Sequence, residues 1–353
     1  MAGTPVLPGP SAVTRAFGWC ALAAVTVAVP WWSHASFVTQ VSSVVGFTVS
    51  FAGLVVLTNH LGLVSLGQGA LTGIGAVAAL HSVNDFGLPV MAMPLVGLAA
   101  GFAVGALFGV ISLRLPIPYL AVATFALAVA YPIVIRQIDG PLPKLLDGEF
   151  VPPSWTGIDP RDEHIWEYWI MVVWALAALL LLRRLLTGPV GRAMLATRDD
   201  PQGAAAYGIA VQRIRIAGVA LSGALAGLGG ALIVIAINFT GPRSPFEDQY
   251  PVELSIKMFA LAMAIRGTRM WGALPAAIVL VMLPEWLDDR SWPAIIGWDG
   301  LFRSEGFFYA VLLIATAHLT KGQGFGHLVT DRLNRRRDPH REVESERATS
   351  GTF

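Results

Sequence analysis

The densest short run of charge is GRAMLATRDDPQGAAAYGIAVQRIRI, residues 191–216, where Arg192, Arg198, Arg213 and Arg215 are answered only by Asp199 and Asp200. Long apolar runs flank it on both sides. Within it, Asp200 and Pro201 precede a small-residue core that holds Ala204 and Ala205, and Gly208 follows that core. Proline suits the first helical position, an acidic side chain suits a helix amino end, and glycine suits the exit. A short helix is therefore expected, presented on a hydrophilic insert. A merely solvated loop would explain the arginines but not the bracketing of an alanine core by Pro201 and Gly208.

A second group of polar residues sits inside apolar sequence. In GLVSLGQGALTGIGAVAAL, Ser65, Gln68 and Thr72 lie among Gly62, Gly67, Gly69, Gly73 and Gly75. Each interior glycine costs a helix about 1 kcal/mol relative to alanine, so this segment is intrinsically weak. Weakened helices near the bilayer midplane often line transport paths; close packing of a slim helix is the other reading. Ser65 and Gln68, together with Tyr119, Thr124 and Asn238, are the candidates for polar contacts along such a path. Groups of this kind must be few and weak enough to release what they bind. Glu253 and Lys257, four residues apart, can meet on one helical face, with the lysine reaching toward the membrane surface.

Other chemistries lack their residues. No GxxxxGK[ST] phosphate loop is present, since HLTKGQG and GPLPKLL do not match it. The single cysteine, Cys20, permits no internal disulfide, and His34, His60, His81, His164, His318, His327 and His340 contain no pair at ligand spacing. No metal, no cofactor and no catalytic constellation is expected on this chain. The apolar runs show no relay of acidic residues or histidines such as ion-coupled carriers carry. A transporter of this composition is either a passive pore or is driven by another protein.

The elements that must carry these residues are membrane helices. Of 353 residues, 55% are hydrophobic and 13% charged, against about 25% charged in an average soluble domain. Apolar runs near 16–33, 37–58, 62–81, 90–113, 116–136, 166–186, 214–238, 252–265, 271–287 and 306–320 give about ten membrane segments. Residues 16–33 have the outline of a signal peptide, but the run ends in Pro30-Trp31-Trp32 and is read as a retained span. Arginine near span ends favours the cytoplasmic side, which places 183–215, with Arg183, Arg184, Arg192, Arg198, Arg213 and Arg215, inside. Arg114, Arg266, Arg269 and the tail from Lys321 through Arg335, Arg336 and Arg337 then fall on that same side.

The expected organisation follows: a cytoplasmic tail over 1–15, a membrane domain over 16–320, and a basic cytoplasmic tail over 321–353. Within the domain lie a cytoplasmic loop at 187–213 and an external loop at 137–165, rich in proline, glycine and acidic residues. From about residue 338 the tail has too little apolar surface to offset its chain entropy. The protein is thus an all-α polytopic membrane protein of the plasma (inner) membrane with both termini cytoplasmic.

Two glycine series point to how the helices pack. Gly97, Gly101, Gly105 and Gly109 recur every four residues, and so do Gly223 and Gly227. Residues four apart share a helical face. Such faces let backbones approach closely, so that van der Waals contact holds helices together in lipid.

Four blocks, in order, resemble the LivM-type permeases of branched-chain amino acid ABC importers. They are GLVSLGQGALTGIGA, PYLAVATFALA, TGPVGRAMLATRDDPQGAAAYGIAVQRIRIAGVALSGALAGLGGAL and MWGALPAAIVLVMLPEWL. The resemblance implies a ten-segment permease fold, pairing with a LivH-type second permease. It also implies two ATPase subunits that use ATP and Mg, and an extracytoplasmic solute-binding protein; lipid is the remaining partner, and nucleic acid is not expected. In that family the 191–213 stretch would hold the coupling helix, with Arg192, Arg198, Asp199, Asp200, Pro201, Ala204, Ala205 and Gly208 contacting the ATPase. Leucine, isoleucine and valine are the solutes implied, with urea, a short amide or another amino acid as the alternative. A stand-alone channel or ion-coupled carrier is the reading of another class. The chain departs from the family's pattern at Ala205, where a glutamate is usual, at IRGTRMWG, and at Lys257.

Overall fold

Eight of the ten expected apolar runs become helices close to their expected bounds. The computed structural model describes residues 35–115, 117–139, 144–146, 163–240, 242–244, 247–248, 252–265, 272–288 and 305–319. The expected first span, most of the 137–165 loop, Arg266, Arg269 and the basic tail lie outside the described residues. In chain order the helices are α1 (Ala35–Val55), α2 (Gln68–Asn84), α3 (Met93–Ser112), α4 (Ile117–Asp139) and α5 (Glu163–Thr187). There follow α6 (Pro189–Asp199), α7 (Pro201–Ala206), α8 (Val211–Ile237), α9 (Val252–Ala264), α10 (Ala273–Asp288) and α11 (Glu305–Leu319). Two small antiparallel pairs, β1 (Lys144–Leu145) with β2 (Phe239–Thr240) and β3 (Pro242–Ser244) with β4 (Glu247–Asp248), are the strands among the described residues.

Among the described residues, five stretches are long and apolar enough to cross a membrane: Ser36–Leu61, Val90–Ser112, Tyr119–Ile138, His164–Thr187 and Val211–Ile237. Two further apolar helices, Ala273–Pro284 and Gly306–Thr316, are shorter. Helices satisfy their own backbone groups, which is why they are the form a chain takes in hydrocarbon. The protein is a multi-pass membrane protein.

α8 is the axis of the bundle, and 89% of its most apolar window is buried. α3 packs against it antiparallel. An ideal Cβ added to Gly97 would lie 2.6 Å from Gly227 O, one on Gly101 2.1 Å from Gly223 O, one on Gly105 2.9 Å from Val219 O, and one on Gly109 3.0 Å from Ile216 Cα. Gly227 is also closed from its other side, because a Cβ on Gly75 of α2 would meet Gly227 Cα at 2.2 Å. Small residues at such contacts allow the close van der Waals packing that lipid-embedded helices depend on. The antiparallel register brings Arg114, just beyond α3, to the same end of the bundle as Arg213 and Arg215 at the start of α8.

The structure corrects one expectation. The third apolar run, 62–81, is not one helix. α1 continues as a π-helical turn, Val56–Leu61, which ends at Gly62 in the left-handed conformation (φ 66°). Residues 63–67 are irregular, and helix resumes only at Gln68. A Ser-Leu-Gly sequence has little helical preference, and the freed amides of Leu63, Leu66 and Gly67 donate to Leu57 O, Thr124 Oγ1 and Ser65 Oγ.

Candidate functional site

The interruption lies deep in the bundle. Gln68, its far end, sits beside Ser222, eleven residues into α8 and hence about 16 Å along that helix. This is close to half of the ~30 Å hydrocarbon thickness. Irregular backbone at such depth is tolerated only where protein groups satisfy it. Here the Leu66 amide donates to Thr124 Oγ1 at 3.0 Å, and the Gly67 amide donates to Ser65 Oγ at 3.4 Å. Thr124 Oγ1 in turn donates to Ala121 O at 3.0 Å within α4.

Gln68 joins three helices. Its Nε2 donates to Ser50 O on α1 at 2.9 Å, and its Oε1 accepts from Ser222 Oγ on α8 at 3.4 Å. Thr72 Oγ1 lies 2.6 Å from Ser50 Oγ and donates to Gln68 O at 2.9 Å. Ser50, Gln68, Thr72 and Ser222 have no solvent exposure, and Ser65 and Thr124 have almost none. Buried polar groups are costly unless paired, so this cluster forms a satisfied polar seam across an otherwise apolar interior. Gly53 lets the seam close, since a Cβ there would stand 2.7 Å from Ser222 O and 3.0 Å from Gln68 Nε2.

Of the five residues expected along a path, the structure thus brings Ser65, Gln68 and Thr124 together. Tyr119 stands apart, 62% exposed. Five residues before Thr124 on the same helix, it is rotated by about 140° onto another face. Asn238 lies at the opposite end of α8, in the left-handed conformation (φ 56°), and its Nδ2 donates to Glu167 Oε1 at 3.2 Å. Glu167 is 5% exposed near the start of α5. It is therefore a buried acidic group at the end of an apolar span, and its bond to Asn238 was not expected.

Sequence reasoning also missed Ser50 and Ser222. Ser222 is the lone serine of α8 and Ser50 one of four serines in α1, a pattern shared with serines that merely bond their own helix backbone. Only the fold shows that the Ser222 hydroxyl bonds Gln68 and that Ser50 offers Gln68 its carbonyl and Thr72 its hydroxyl.

The charged insert forms two helices, where one was expected. α7 begins as anticipated: Asp200 is its N-cap, and its Oδ1 accepts from the amides of Gln202 and Gly203 at 3.0 Å each. Pro201 occupies the first turn. The helix ends at Gly208 (φ 81°), where the Gly208 amide donates to Ala205 O and the Ile209 amide to Ala204 O. Ala204 is buried, Ala205 exposed, and Tyr207 91% exposed.

α6 precedes it and turns Gly191, Met194 and Thr197 inward, a three-residue spacing along one face. Arg192 extends to Thr187 O at 3.5 Å. Arg198 turns toward the protein: its Nη1 donates to Asn59 O at 2.5 Å and its Nε pairs with Asp199 at 2.9 Å. Among the described residues no group of histidine, cysteine, aspartate and glutamate side chains could hold a metal ion.

Comparison with known proteins matches residues 35–316 to the family described as "Branched-chain amino acid transport system / permease component". The chain is similar to the high-affinity branched-chain amino acid transport system permease protein LivM of Escherichia coli (strain K12). Identity is 27% over 323 residues, covering 84% of this chain and 74% of that protein. The LivM protein of Salmonella typhimurium matches to the same extent. The autoinducer 2 import system permease protein LsrC of Photorhabdus laumondii is 26% identical over 253 residues, covering 67% of this chain and 71% of its own. No solved structure matches the chain.

Proposed function

The chain belongs to the family of permease components of branched-chain amino acid transport systems, and from that membership we propose that it is a LivM-type membrane subunit of an ATP-driven importer for leucine, isoleucine and valine. The observation that carries the reading is the interrupted helix at mid-depth. There the amino end of α2 and the hydroxyl and amide groups of Ser65, Gln68, Thr72 and Thr124 meet between apolar walls. A helix amino end favours a carboxylate, and apolar surroundings favour a branched aliphatic side chain. In the conformation described, the seam is closed. Transport would open and reclose it in alternation, with Asn238 and Glu167 at the outer approach.

Two cytoplasmic ATPase subunits would supply the work, using ATP and Mg, by pressing on α7 through its exposed Ala205 and Tyr207 side. A second permease of LivH type and an extracytoplasmic binding protein would complete the assembly. In the full subunit about ten segments would cross the membrane, with both termini in the cytoplasm.

Reconstitution tests this. Vesicles holding the complete assembly should accumulate leucine only with ATP, and vesicles holding this chain alone should accumulate none. Replacing Gln68 by Leu and Thr124 by Val should lower uptake by about tenfold or more, the scale on which lost polar contacts change discrimination. Unchanged uptake would reject the lining, and ATP-independent flux through the chain alone would reject the importer.

The similarity to an autoinducer 2 permease favours a second solute reading. Competition of labelled leucine uptake by valine, isoleucine, autoinducer 2 and urea separates these.

A further inference from the structure

The interrupted segment is fastened to the charged insert at one point. We propose that Arg198 is a strut that carries movement of α6 and α7 to residues 62–67, and through them to the Gln68 seam. The proposal rests on the reading of α7 as the surface that receives mechanical work, and it concerns what happens on the inner side of that surface.

Three features place the strut. Its guanidinium donates to Asn59 O across 139 residues of sequence, at the carboxyl end of the π-helical turn Val56–Leu61. Carbonyls at a helix end lack partners within the helix, and a cation there is favoured by both hydrogen bonding and the helix dipole. The stem of the same side chain covers Gly62, where an added Cβ would meet Arg198 Cγ at 2.8 Å. Gly62 has φ 66° and is the point at which the chain leaves the helix. On the other side, Arg198 pairs with Asp199, whose neighbour Asp200 caps α7. A continuous series of contacts therefore runs from α7 through Asp200, Asp199 and Arg198 to Asn59 and Gly62. Only the five residues 63–67 separate Gly62 from Gln68.

The junction is imperfectly satisfied. Among the described residues, Thr197 Oγ1, adjacent in sequence to Arg198, is buried without a hydrogen-bond partner. Native structures keep few such groups, and each calls for an explanation. A contact that is remade in a second conformation supplies one. π-helical turns are themselves frequent at functional sites. Leu61 packs on Gly218 beside Met194, so α6, α8 and the turn meet where the strut attaches.

Arg198 is accordingly a positioning residue, and its loss should uncouple the machine while leaving it assembled. The test uses the complete reconstituted assembly with Arg198→Ala, Arg198→Lys and Gly62→Ala. The resemblance places Arg198 among the ATPase contacts, but its guanidinium is engaged by Asn59 O and Asp199. Arg198→Ala should therefore co-purify with the ATPases and hydrolyse ATP at a near-normal rate, while ATP-driven leucine uptake falls by about tenfold, the scale of one charge-assisted hydrogen bond. Arg198→Lys, which keeps a cationic donor, should recover much of the uptake. Gly62→Ala should uncouple likewise, through its backbone conformation and its contact with the arginine stem.

Amide exchange on the full chain gives a readout that needs no transport. Residues 59–67 should exchange faster in Arg198→Ala than in the unaltered chain, while α3 and α8 remain protected. Three results would overturn the strut: wild-type uptake in Arg198→Ala, parallel loss of hydrolysis and uptake, or unchanged exchange over 59–67. If the unaltered assembly moves no leucine, the importer reading fails, and the exchange result still decides whether the strut exists.

Discussion

At the scale of single residues, types and spacing revealed roles only where the chemistry is local. Asp200, Pro201 and Gly208 announced a helix start and stop because a cap bonds amides two and three residues away, and the structure places those bonds as expected. Gln68, Ser65 and Thr124 stood out as polar groups in apolar runs. Their partners Ser50 and Ser222 did not, because those contacts cross 18 and 154 residues of sequence. Arg198 was legible as a charge but not as one bonded to Asn59 O. The cap can be tested alone. Asp200→Ala should destabilise α7 by about 1 kcal/mol, the usual cost of losing such a cap, whereas Asp200→Asn should keep it. Amide exchange at Gln202 and Gly203 reports the difference, and equal protection in both variants would show that the side chain caps nothing. ATPase association should follow the cap: lowered in Asp200→Ala and retained in Asp200→Asn.

At the scale of elements, hydrophobic runs located the helices within a few residues, because a length of apolar sequence has one stable form in hydrocarbon. The break at 62–67 escaped that logic. Its residues are apolar enough to cross; Thr124 of α4 bonds the open backbone at Leu66, and α1 and α8 hold the side chain of Gln68 at its far end. The glycine spacing, by contrast, marks out a helical face by itself, and only the identity of the partner helix depends on the fold. Gly101 and Gly227 face each other across the α3–α8 contact, and a Cβ on Gly227 would stand 2.9 Å from Gly101 Cα. Gly101→Val and Gly227→Val should each cost about 1–3 kcal/mol through overpacking and lower the melting temperature in detergent. Gly306→Ala, where an added Cβ meets nothing within 4 Å, should leave it unchanged. If all three melt alike, the glycine faces do not hold the bundle together.

At the scale of the whole molecule, the distribution of charge gives a sidedness that the packing makes internally consistent. Arginine resists transfer across hydrocarbon, so arginine-bearing loops gather on one side of a membrane. The antiparallel α3–α8 register puts Arg114 level with Arg213 and Arg215, and the end of the π-helical turn, where Leu61 meets Gly218, lies in the same half of α8. Lys144 and Leu145 belong to the other end, where Leu145 O accepts from Asn84 at the end of α2 and β1 pairs with β2 just beyond α8. The two ends must therefore face different compartments. In a background with Cys20 replaced by Ser, Tyr207→Cys should react with a membrane-impermeant maleimide only after the cytoplasmic face is opened. Lys144→Cys should react in intact cells. Tyr207 is a good reporter because it is 91% exposed and directly precedes the Gly208 stop. Labelling of Tyr207→Cys from outside would invert the molecule and place α7 beyond the reach of any ATPase. Labelling of both positions from one side would contradict the packing register itself, because α8 alone separates them by 27 residues of helix, about 40 Å of rise across a hydrocarbon layer of ~30 Å.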